Sequence, residues 1–211
     1  VRNEGPIRDD KRAPMIISEI IDSLIYLHSN KIIYRDLKLE NILYDGKTIK
    51  LFDFSKSTIF KNDKFTDLVG TLLYLSPEII KGSYDYRSDI WALGVTMYVL
   101  LTGRFPFNGS TDFEIINKIL YFQPEYREEE ISEEAKNLIK LLLEKKPKNR
   151  ISLEKAKEHI YFQQANLREL SDIKFSFLQL IMNINKNKIN SEIGRELLYY
   201  FIKNMVKFDF K

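Results

Sequence analysis

The stretch that most constrains the fold runs from Asp89 to Thr102 and is apolar on almost every side. Its large apolar members are Ile90, Trp91, Leu93, Val95, Met97, Tyr98, Leu100 and Leu101. A helix of this kind has to be buried inside a domain. About fourteen residues are too few to span a bilayer. The stretch therefore predicts a central buried helix in a globular domain.

Other segments predict a mostly helical chain. A wide apolar stripe indicates a buried helix at about 13–29. A short helix is predicted at Pro77–Ile80 and ends near Gly82. Further helices are predicted near 111–121, 132–144 and 152–159. Short strands are expected at 32–34, 42–44 and 48–52, and the polar segment 55–70 is expected to be a mobile surface segment. The predicted fold class is mostly α, a helical bundle with a short β-hairpin.

Composition excludes several classes of protein. The 211 residues suffice for one domain with a sizeable core, and the net charge of +3 is too balanced to favour nucleic acid or membrane binding. There is no cysteine, so disulfides and thiolate metal sites are excluded, and a cytoplasmic location is expected. No apolar run is long enough for a membrane span. Because Val1 starts neither a signal peptide nor a complete reading frame, the chain is expected to begin inside a longer protein.

The segment Tyr34–Asn41 concentrates chemistry, with two acids, two cations and an amide in eight residues. Asp36 and Asn41 are five apart, which suits one loop better than one helical face. A predicted hairpin follows, and its second strand ends at Asp53. A loop with Asp, Lys and Asn, followed by a hairpin and a second Asp, can hold metal ions and a polyphosphate.

This spacing resembles the catalytic loop and the metal-binding tripeptide of eukaryotic protein kinases. The same order continues in Gly70-Thr71, Ser76-Pro77-Glu78, Ser88-Asp89-Ile90-Trp91 and Arg150. The segments 70–78, 98–107 and 111–115 resemble the calcium/calmodulin-dependent group, most closely the calcium-dependent protein kinases of protists and plants. The resemblance covers about 13–164. It implies that 1–164 form the C-terminal lobe of the α+β kinase fold, without the N-terminal lobe, and that 165–211 form a helical tail like a regulatory junction.

The resemblance implies a serine/threonine kinase that uses ATP and Mg²⁺ and acts on protein hydroxyls. Asp36 is the expected catalytic base. Lys38 would steady the transferred phosphate, and Thr71 would contact Asp36. The expected cofactor-binding residues are Glu40, Asn41, Leu43 and Asp53, of which Asn41 and Asp53 would hold the metal and Leu43 would lie under the adenine.

Supporting roles follow from the same resemblance. Asp89 is expected to accept hydrogen bonds from the catalytic-loop backbone, and Glu78 and Arg150 are expected to form a buried ion pair. In relatives, the arginine at the position of Arg35 binds a phosphate on the activation segment. Here the matching position is Asp67, whose carboxylate can partly replace that phosphate, next to Thr66.

The sequence departs from the family pattern in several places. Tyr34 replaces a histidine, Leu39 replaces a proline, and Ser55 replaces the glycine of the metal-binding tripeptide. Serine disfavours backbone states that glycine allows, so restricted motion is expected there. The sequence also contains neither the glycine-rich loop nor the Val-Ala-Ile-Lys strand of the nucleotide-covering lobe.

Two alternatives to an enzyme stay open. One is a pseudokinase-like scaffold or regulatory protein, which Ser55 and the missing lobe favour. The other is a calcium-sensor module. Asn183, Asn185 and Asn187 alternate like the first ligands of a calcium loop, but no carboxylate or glycine completes the set. The resemblance also implies a candidate partner, a separate calcium-sensor module that acts on the tail.

Overall fold

The structure is a computed structural model that describes residues 12–45, 47–61, 64–127 and 131–162. The predicted tail at 165–211 and its boundary with the domain lie outside these residues. The described helices are α1 (Arg12–Ser29), α2 (Pro77–Ile80), α3 (Arg87–Thr102), α4 (Asp112–Tyr121), α5 (Glu133–Leu142) and α6 (Leu153–Lys157). The strands are β1 (Ile32–Ile33), β2 (Ile42–Tyr44), β3 (Ile49–Leu51) and β4 (Thr58–Ile59).

Helix α3 forms the centre of the molecule, as its all-round apolar sequence predicts. It packs against α5 and α1, and nearly all of its side chains are buried, including the large Trp91 and Tyr98. Gly94 lets α5 approach closely. A Cβ at this position would lie 2.9 Å from Leu142 Cβ and 2.8 Å from Leu143 Cδ2.

The helix ends follow local chemistry. A serine or threonine hydroxyl accepts a hydrogen bond from a first-turn N–H at the start of four helices, and the capping residues are Ser76, Thr111, Ser132 and Ser152. Gly103 ends α3 in the left-handed conformation, with φ 69°. The observed bounds of the helices agree with the predicted ones to within about two residues.

Helix α1 lies between the core and the strands. Its apolar face packs on α3 and α6, and its buried Glu19 accepts a hydrogen bond from the backbone N–H of Ile49 at 2.6 Å. Burial, opposed by this hydrogen bond, raises the pKa of Glu19 above its ordinary value. The contact attaches β3 to α1.

None of the helices in the described part of the chain has the length and hydropathy that crossing a membrane requires.

Four short strands form two antiparallel pairs. Strands β2 and β3 form the predicted hairpin, with Ile42 opposite Leu51. Strand β4 pairs with β1 and was not predicted, because the segment 55–70 was expected to be irregular throughout. The ordered contacts of β4 correct that expectation for residues 58–59. Together the two pairs bring the loop between β1 and β2 next to the turn after β3.

Candidate active site

Asp36 lies in the loop between β1 and a short 3₁₀ helix at Leu39–Asn41, and its side chain is buried. The loop backbone is fixed by Asp89, near the start of α3. The carboxylate of Asp89 accepts the N–H groups of Tyr34 and Arg35, each at 2.9 Å. The Asp89 Oδ2 atom also lies 2.8 Å from His28 Nε2. Asp89 thus connects the loop to α3, and His28 connects α1 to the same carboxylate.

The carboxylate of Asp36 is surrounded by donors. Thr71 donates its hydroxyl to Oδ1 at 3.1 Å, and Lys38 places Nζ 3.2 Å from Oδ2. Lys38 also donates to the Thr71 hydroxyl at 3.1 Å, which closes a triangle of three side chains. The amide of Asn41 donates to the Asp36 carbonyl at 2.9 Å and to Oδ2 at 3.3 Å. The structure therefore brings together three residues predicted as catalytic and one predicted metal ligand.

A residue that sequence reasoning missed also contacts Asp36. Lys56 places Nζ 3.1 Å from Asp36 Oδ2, the same oxygen that the predicted Lys38 approaches. Burial alone would raise the pKa of Asp36, but the hydrogen bonds and charges of Lys56 and Lys38 outweigh it and hold the pKa below its ordinary value. Asp36 is thus a carboxylate near neutral pH, as a proton acceptor has to be.

The two predicted metal ligands lie at the same end of the β2–β3 hairpin. Asn41 directly precedes β2 and Asp53 comes two residues after β3, and the Phe52 N–H donates to the Asn41 carbonyl at 3.1 Å. Asp53 is exposed and adopts a left-handed backbone with φ 58°. Its Oδ1 accepts the Ser55 hydroxyl at 2.6 Å. The left-handed residue of this turn is Asp53 and not Ser55, so serine at 55 is free of that backbone strain.

The donor set at this end of the hairpin fits magnesium. Among the described residues, no group of three or more His, Cys, Asp or Glu is close enough together to hold a metal ion alone. Mg²⁺ does not need such a group, since it typically takes one or two protein oxygens and completes its shell with water and phosphate. Asp53 offers a carboxylate, and Asn41, whose amide nitrogen is used by Asp36, offers its amide oxygen.

The two residues predicted to contact the nucleotide lie beside the metal ligands. Leu43 in β2 exposes 54% of its surface, which is unusual for a leucine in a paired strand. Glu40, in the 3₁₀ helix before β2, is also exposed. An exposed apolar side chain next to two candidate metal ligands is consistent with a surface that packs against a flat ligand.

Tyr34 occupies the position where the family has histidine. It is fully buried, its ring meets the edge of Phe54 at a centroid distance of 5.1 Å, and its hydroxyl donates to the Phe52 carbonyl. Burial and the neighbouring negative charges of Asp53 and Asp36 raise the pKa of the phenol. An aromatic ring therefore still packs at this position, and its neutral hydroxyl bonds to the backbone that leads from β3 to Asp53.

Arg35 contacts the residue that the sequence pairs with it. Its Nη1 lies 2.8 Å from Asp67 Oδ2, and the Tyr84 hydroxyl donates to Asp67 Oδ1 at 3.0 Å. The guanidinium also lies over the ring of Phe65, 5.5 Å from its centroid. Phe65 and Tyr84 exchange backbone hydrogen bonds at 2.9 and 3.0 Å. The carboxylate of Asp67 therefore attaches the segment 64–70 to Arg35 in the loop.

The predicted ion pair between Glu78 and Arg150 is present and buried. Arg150 makes two hydrogen bonds to the carboxylate, at 2.6 and 3.0 Å. It also donates to the carbonyls of Arg87 at 2.7 Å and Glu144 at 3.0 Å, and its guanidinium lies over the ring of Trp91. Because the partners of Arg150 lie on α2, on α3 and in the segment after α5, the pair connects these three parts of the chain.

Comparisons with known proteins identify the family to which the sequence is similar. A family model described as "Protein kinase domain" matches residues 1–162. The chain is similar to calcium-dependent protein kinase 4 of Plasmodium falciparum, with 34% identity over 209 residues, 93% of this chain and 39% of that protein. It is similar to calcium-dependent protein kinase 5 of Plasmodium berghei, with 38% identity over 197 residues, 89% of this chain and 32% of that protein.

A plant relative shows the same pattern. Calcium-dependent protein kinase 21 of Oryza sativa subsp. japonica is 34% identical over 190 residues, which cover 85% of this chain and 34% of that protein. The chain thus spans between about a third and two fifths of the length of these relatives. With the family model matching most of its length, the chain belongs to the protein kinase family.

Proposed function

We propose that this chain is the C-terminal lobe of a serine/threonine protein kinase that transfers a phosphoryl group from ATP to a protein hydroxyl. The observation that carries the proposal is the cluster around Asp36. A buried carboxylate is held by Thr71, Lys38 and Asn41, in a loop fixed by Asp89. The mostly helical architecture, with its strands limited to two short pairs among the described residues, supports the lobe assignment.

Each residue of the cluster has a separate task. Asp36 accepts the proton of the incoming hydroxyl, while Thr71 and Asn41 keep its carboxylate in one orientation. Lys38 offers a cation to the charge that develops on the transferred phosphoryl group. Lysine at this position in the family goes with serine/threonine substrates, which supports that specificity for this chain.

ATP and Mg²⁺ are proposed as cofactors. Asn41 and Asp53 would hold the metal, which neutralises charge on the phosphates when bound. Leu43 would pack on one face of the adenine, and Glu40 lies beside the same surface. The hydroxyl of Ser55 already orients the Asp53 carboxylate, at 2.6 Å from Oδ1.

Regulation is proposed at two places. The contact of Arg35 with Asp67 supports an enzyme that needs no phosphate at this point of the activation segment. The names of the similar proteins include the words calcium-dependent. We therefore propose residues 165–211 as a regulatory segment on which a calcium-sensor module acts.

The test is a fusion in which the nucleotide-covering lobe of a related calcium-dependent kinase precedes this chain. Transfer of labelled phosphate from ATP to a serine peptide is expected, and Asp36→Asn is expected to lower turnover by about 10²–10⁴-fold, the usual contribution of a general base. Asp112→Asn, an exposed aspartate at the start of α4, is the matched control and should leave turnover unchanged. Unchanged turnover in Asp36→Asn would contradict the assignment.

The 211-residue chain alone is expected to transfer no measurable phosphate. Its sequence supplies no glycine-rich cover and no lysine of the covering lobe, and catalysis by positioning is lost steeply when the phosphate can swing. The measurement is the same peptide assay on chain that shows a cooperative melt. Robust transfer that Asp36→Asn abolishes would show that the covering lobe is dispensable.

A scaffold that binds nucleotide or partners without catalysis is the second candidate. The observation that favours it is Lys56, whose ammonium contacts the carboxylate that should act as base. A fusion that binds ATP with magnesium but transfers no phosphate to any serine or threonine peptide would favour the scaffold.

A further inference from the structure

Lys56 differs from the other groups that contact Asp36. Thr71, Lys38 and Asn41 lie within the loop or directly against it, and Asn41 is buried. The side chain of Lys56 is 36% exposed and reaches Asp36 from the turn after β3, on a flexible stem of four methylenes. Its backbone is anchored, since the carbonyl accepts Arg35 Nε at 2.5 Å, but its ammonium can move.

A hydroxyl that reaches Asp36 has to compete with this ammonium. Thr71 takes Oδ1, while Lys38, Lys56 and Asn41 all lie within 3.3 Å of Oδ2. The lysine with the exposed, flexible stem is the one that can leave without dismantling the loop. Leaving separates a cation from its carboxylate, and a second anion close by would offset the lost attraction.

The substrate itself can provide that anion. A hydroxyl in contact with Asp36 lies within a few ångströms of the present position of the Lys56 ammonium, since both touch the same carboxylate. Neighbouring residues of an extended peptide are about 3.8 Å apart from Cα to Cα, so the side chain next to the target residue falls within reach of the lysine stem. With Lys38 also present, the two ammonium groups exceed the single charge of Asp36.

We propose that Lys56 is a specificity-determining residue that selects substrates with an anionic group, a carboxylate or a phosphate, directly beside the target hydroxyl. This inference rests on the proposed function and adds a preference to it. A neutral neighbour leaves the displaced ammonium without a counter-charge, and a basic neighbour repels it.

The test is peptide binding to the full 211-residue chain without nucleotide, so that no transfer is required. Fluorescence anisotropy compares labelled peptides in which the serine is flanked by Glu, Gln or phosphoserine. The Glu peptide is expected to bind about two- to fivefold more tightly than the Gln peptide, the range of a partly exposed charge pair. The phosphoserine peptide shows whether a carboxylate or a phosphate is the better anion.

Three variants locate the effect. Lys56→Met is expected to reduce the Glu-over-Gln preference to about one, whereas Lys56→Arg retains the charge and should retain the preference. Lys64→Met is the matched control, because Lys64 is an exposed lysine further along the same segment. Near-ultraviolet circular dichroism checks that each variant is folded.

Several outcomes would overturn the inference. Equal affinity of the Glu and Gln peptides for the native chain, or a preference that survives in Lys56→Met, contradicts the role of Lys56 alone. Absence of binding by every peptide overturns it as well and counts also against a substrate site in this lobe. Phosphate transfer by the fusion protein is measured separately, so the failure of the inference and the failure of the proposed function give different results.

Discussion

At the scale of residues, buried charged groups organise the molecule. Asp89 accepts two backbone N–H groups of the loop and lies 2.8 Å from His28, and Arg150 satisfies Glu78 and two carbonyls. Each of these groups connects segments that are far apart in sequence. The contacts of Asp89 fix the loop that carries Asp36 before any ligand binds, which is the preorganisation that positioning catalysis requires.

Removing either partner of the Glu78–Arg150 pair should destabilise the fold. Breaking a buried pair leaves an uncompensated charge, at a cost of about 3–5 kcal/mol. Arg150→Ala should cost more than Glu78→Ala, because it also removes the donors to Arg87 and Glu144. Urea unfolding of both single variants and the double variant measures the coupling. Strict additivity would mean that the two side chains do not interact.

A change at Asp53 should affect ligand binding much more than stability. The side chain is exposed, so Asp53→Ala empties no core and costs only the strain of alanine in the left-handed conformation, about 1–2 kcal/mol. It removes a proposed metal ligand. In the fusion with a covering lobe, magnesium-dependent binding of ADP should weaken at least about tenfold, as for other groups that control metal affinity. Calorimetry measures the affinity, with Asp112→Ala as control. A large fall in melting temperature without nucleotide would instead indicate a structural role.

The sequence predicted most of these residues because the motif fixes their spacing. Asp36, Asn41 and Thr71 lie together as the resemblance implies. Lys56 was missed, since its approach to Asp36 depends on the left-handed turn at Asp53, which leaves no pattern in the sequence. The contact of His28 with Asp89 was also not predicted, because the two residues are 61 positions apart in the sequence.

At the scale of elements, the close approach of α3 and α5 sets the shape of the core. Gly94 lies in the middle of α3, where a Cβ would meet Leu142 Cβ at 2.9 Å and Leu143 Cδ2 at 2.8 Å. Both leucines are buried against other core side chains, so neither can move away freely. Absence of a side chain at one position therefore determines how near two helices pack.

Gly94→Ala should destabilise the protein, although alanine normally favours a helix over glycine by roughly 0.5–1 kcal/mol. Overpacking between α3 and α5 should outweigh this gain and cost about 1–3 kcal/mol in the free energy of unfolding. The midpoint of urea unfolding, at an unchanged slope, is the measurement. A midpoint above that of the native chain would show that the helices separate at little cost.

Elements with a long pattern were predicted well, whereas the shortest strand that was missed, β4, shows where a local pattern fails. The apolar periodicity of α1 and the capping hydroxyls of Ser132 and Ser152 place these helices close to their observed bounds. Strand β4 has only two residues, too few for an alternation to be seen. It exists because β1 offers hydrogen-bonding partners, a fact of tertiary structure that no local pattern contains.

At the scale of the whole molecule, one partly buried lysine joins several parts of the core. The ammonium of Lys145 donates to the Ile119 carbonyl of α4 at 2.7 Å and lies over the rings of Trp91 and Phe107. Burial, together with the charge of Arg150, lowers the pKa of Lys145 to about 7, although the ring faces favour the charged form. The protonation of this lysine is therefore coupled to folding.

Stability should rise with pH above about 7. Between the folded pKa of Lys145 and its higher unfolded value, the unfolded chain binds one more proton, so raising the pH favours the folded state. The gain from pH 6.5 to 9 should be roughly 1–2 kcal/mol, less than the full pKa difference implies because the ammonium is partly exposed. Tyrosines, whose ordinary pKa is about 10, stay largely neutral in this range.

The measurement is urea unfolding at several pH values. Lys145→Met should remove most of the rise, and Lys140→Met, at an exposed position of α5, should retain it. Equal pH dependence in the native chain and in Lys145→Met would show that the two rings keep the ammonium charged.

The stacking around Trp91 also has an optical consequence. Trp91 is the one tryptophan of the chain, fully buried, with the Phe107 ring stacked at 5.6 Å and two cations on its faces. Intrinsic indole emission from this protein therefore comes from a single fluorophore at the junction of α3 with the segment after α5. Its emission wavelength should follow unfolding of the core, and within the folded state it should shift as Lys145 loses its proton. Ligand binding at the β2–β3 hairpin should leave the emission wavelength of Trp91 unchanged.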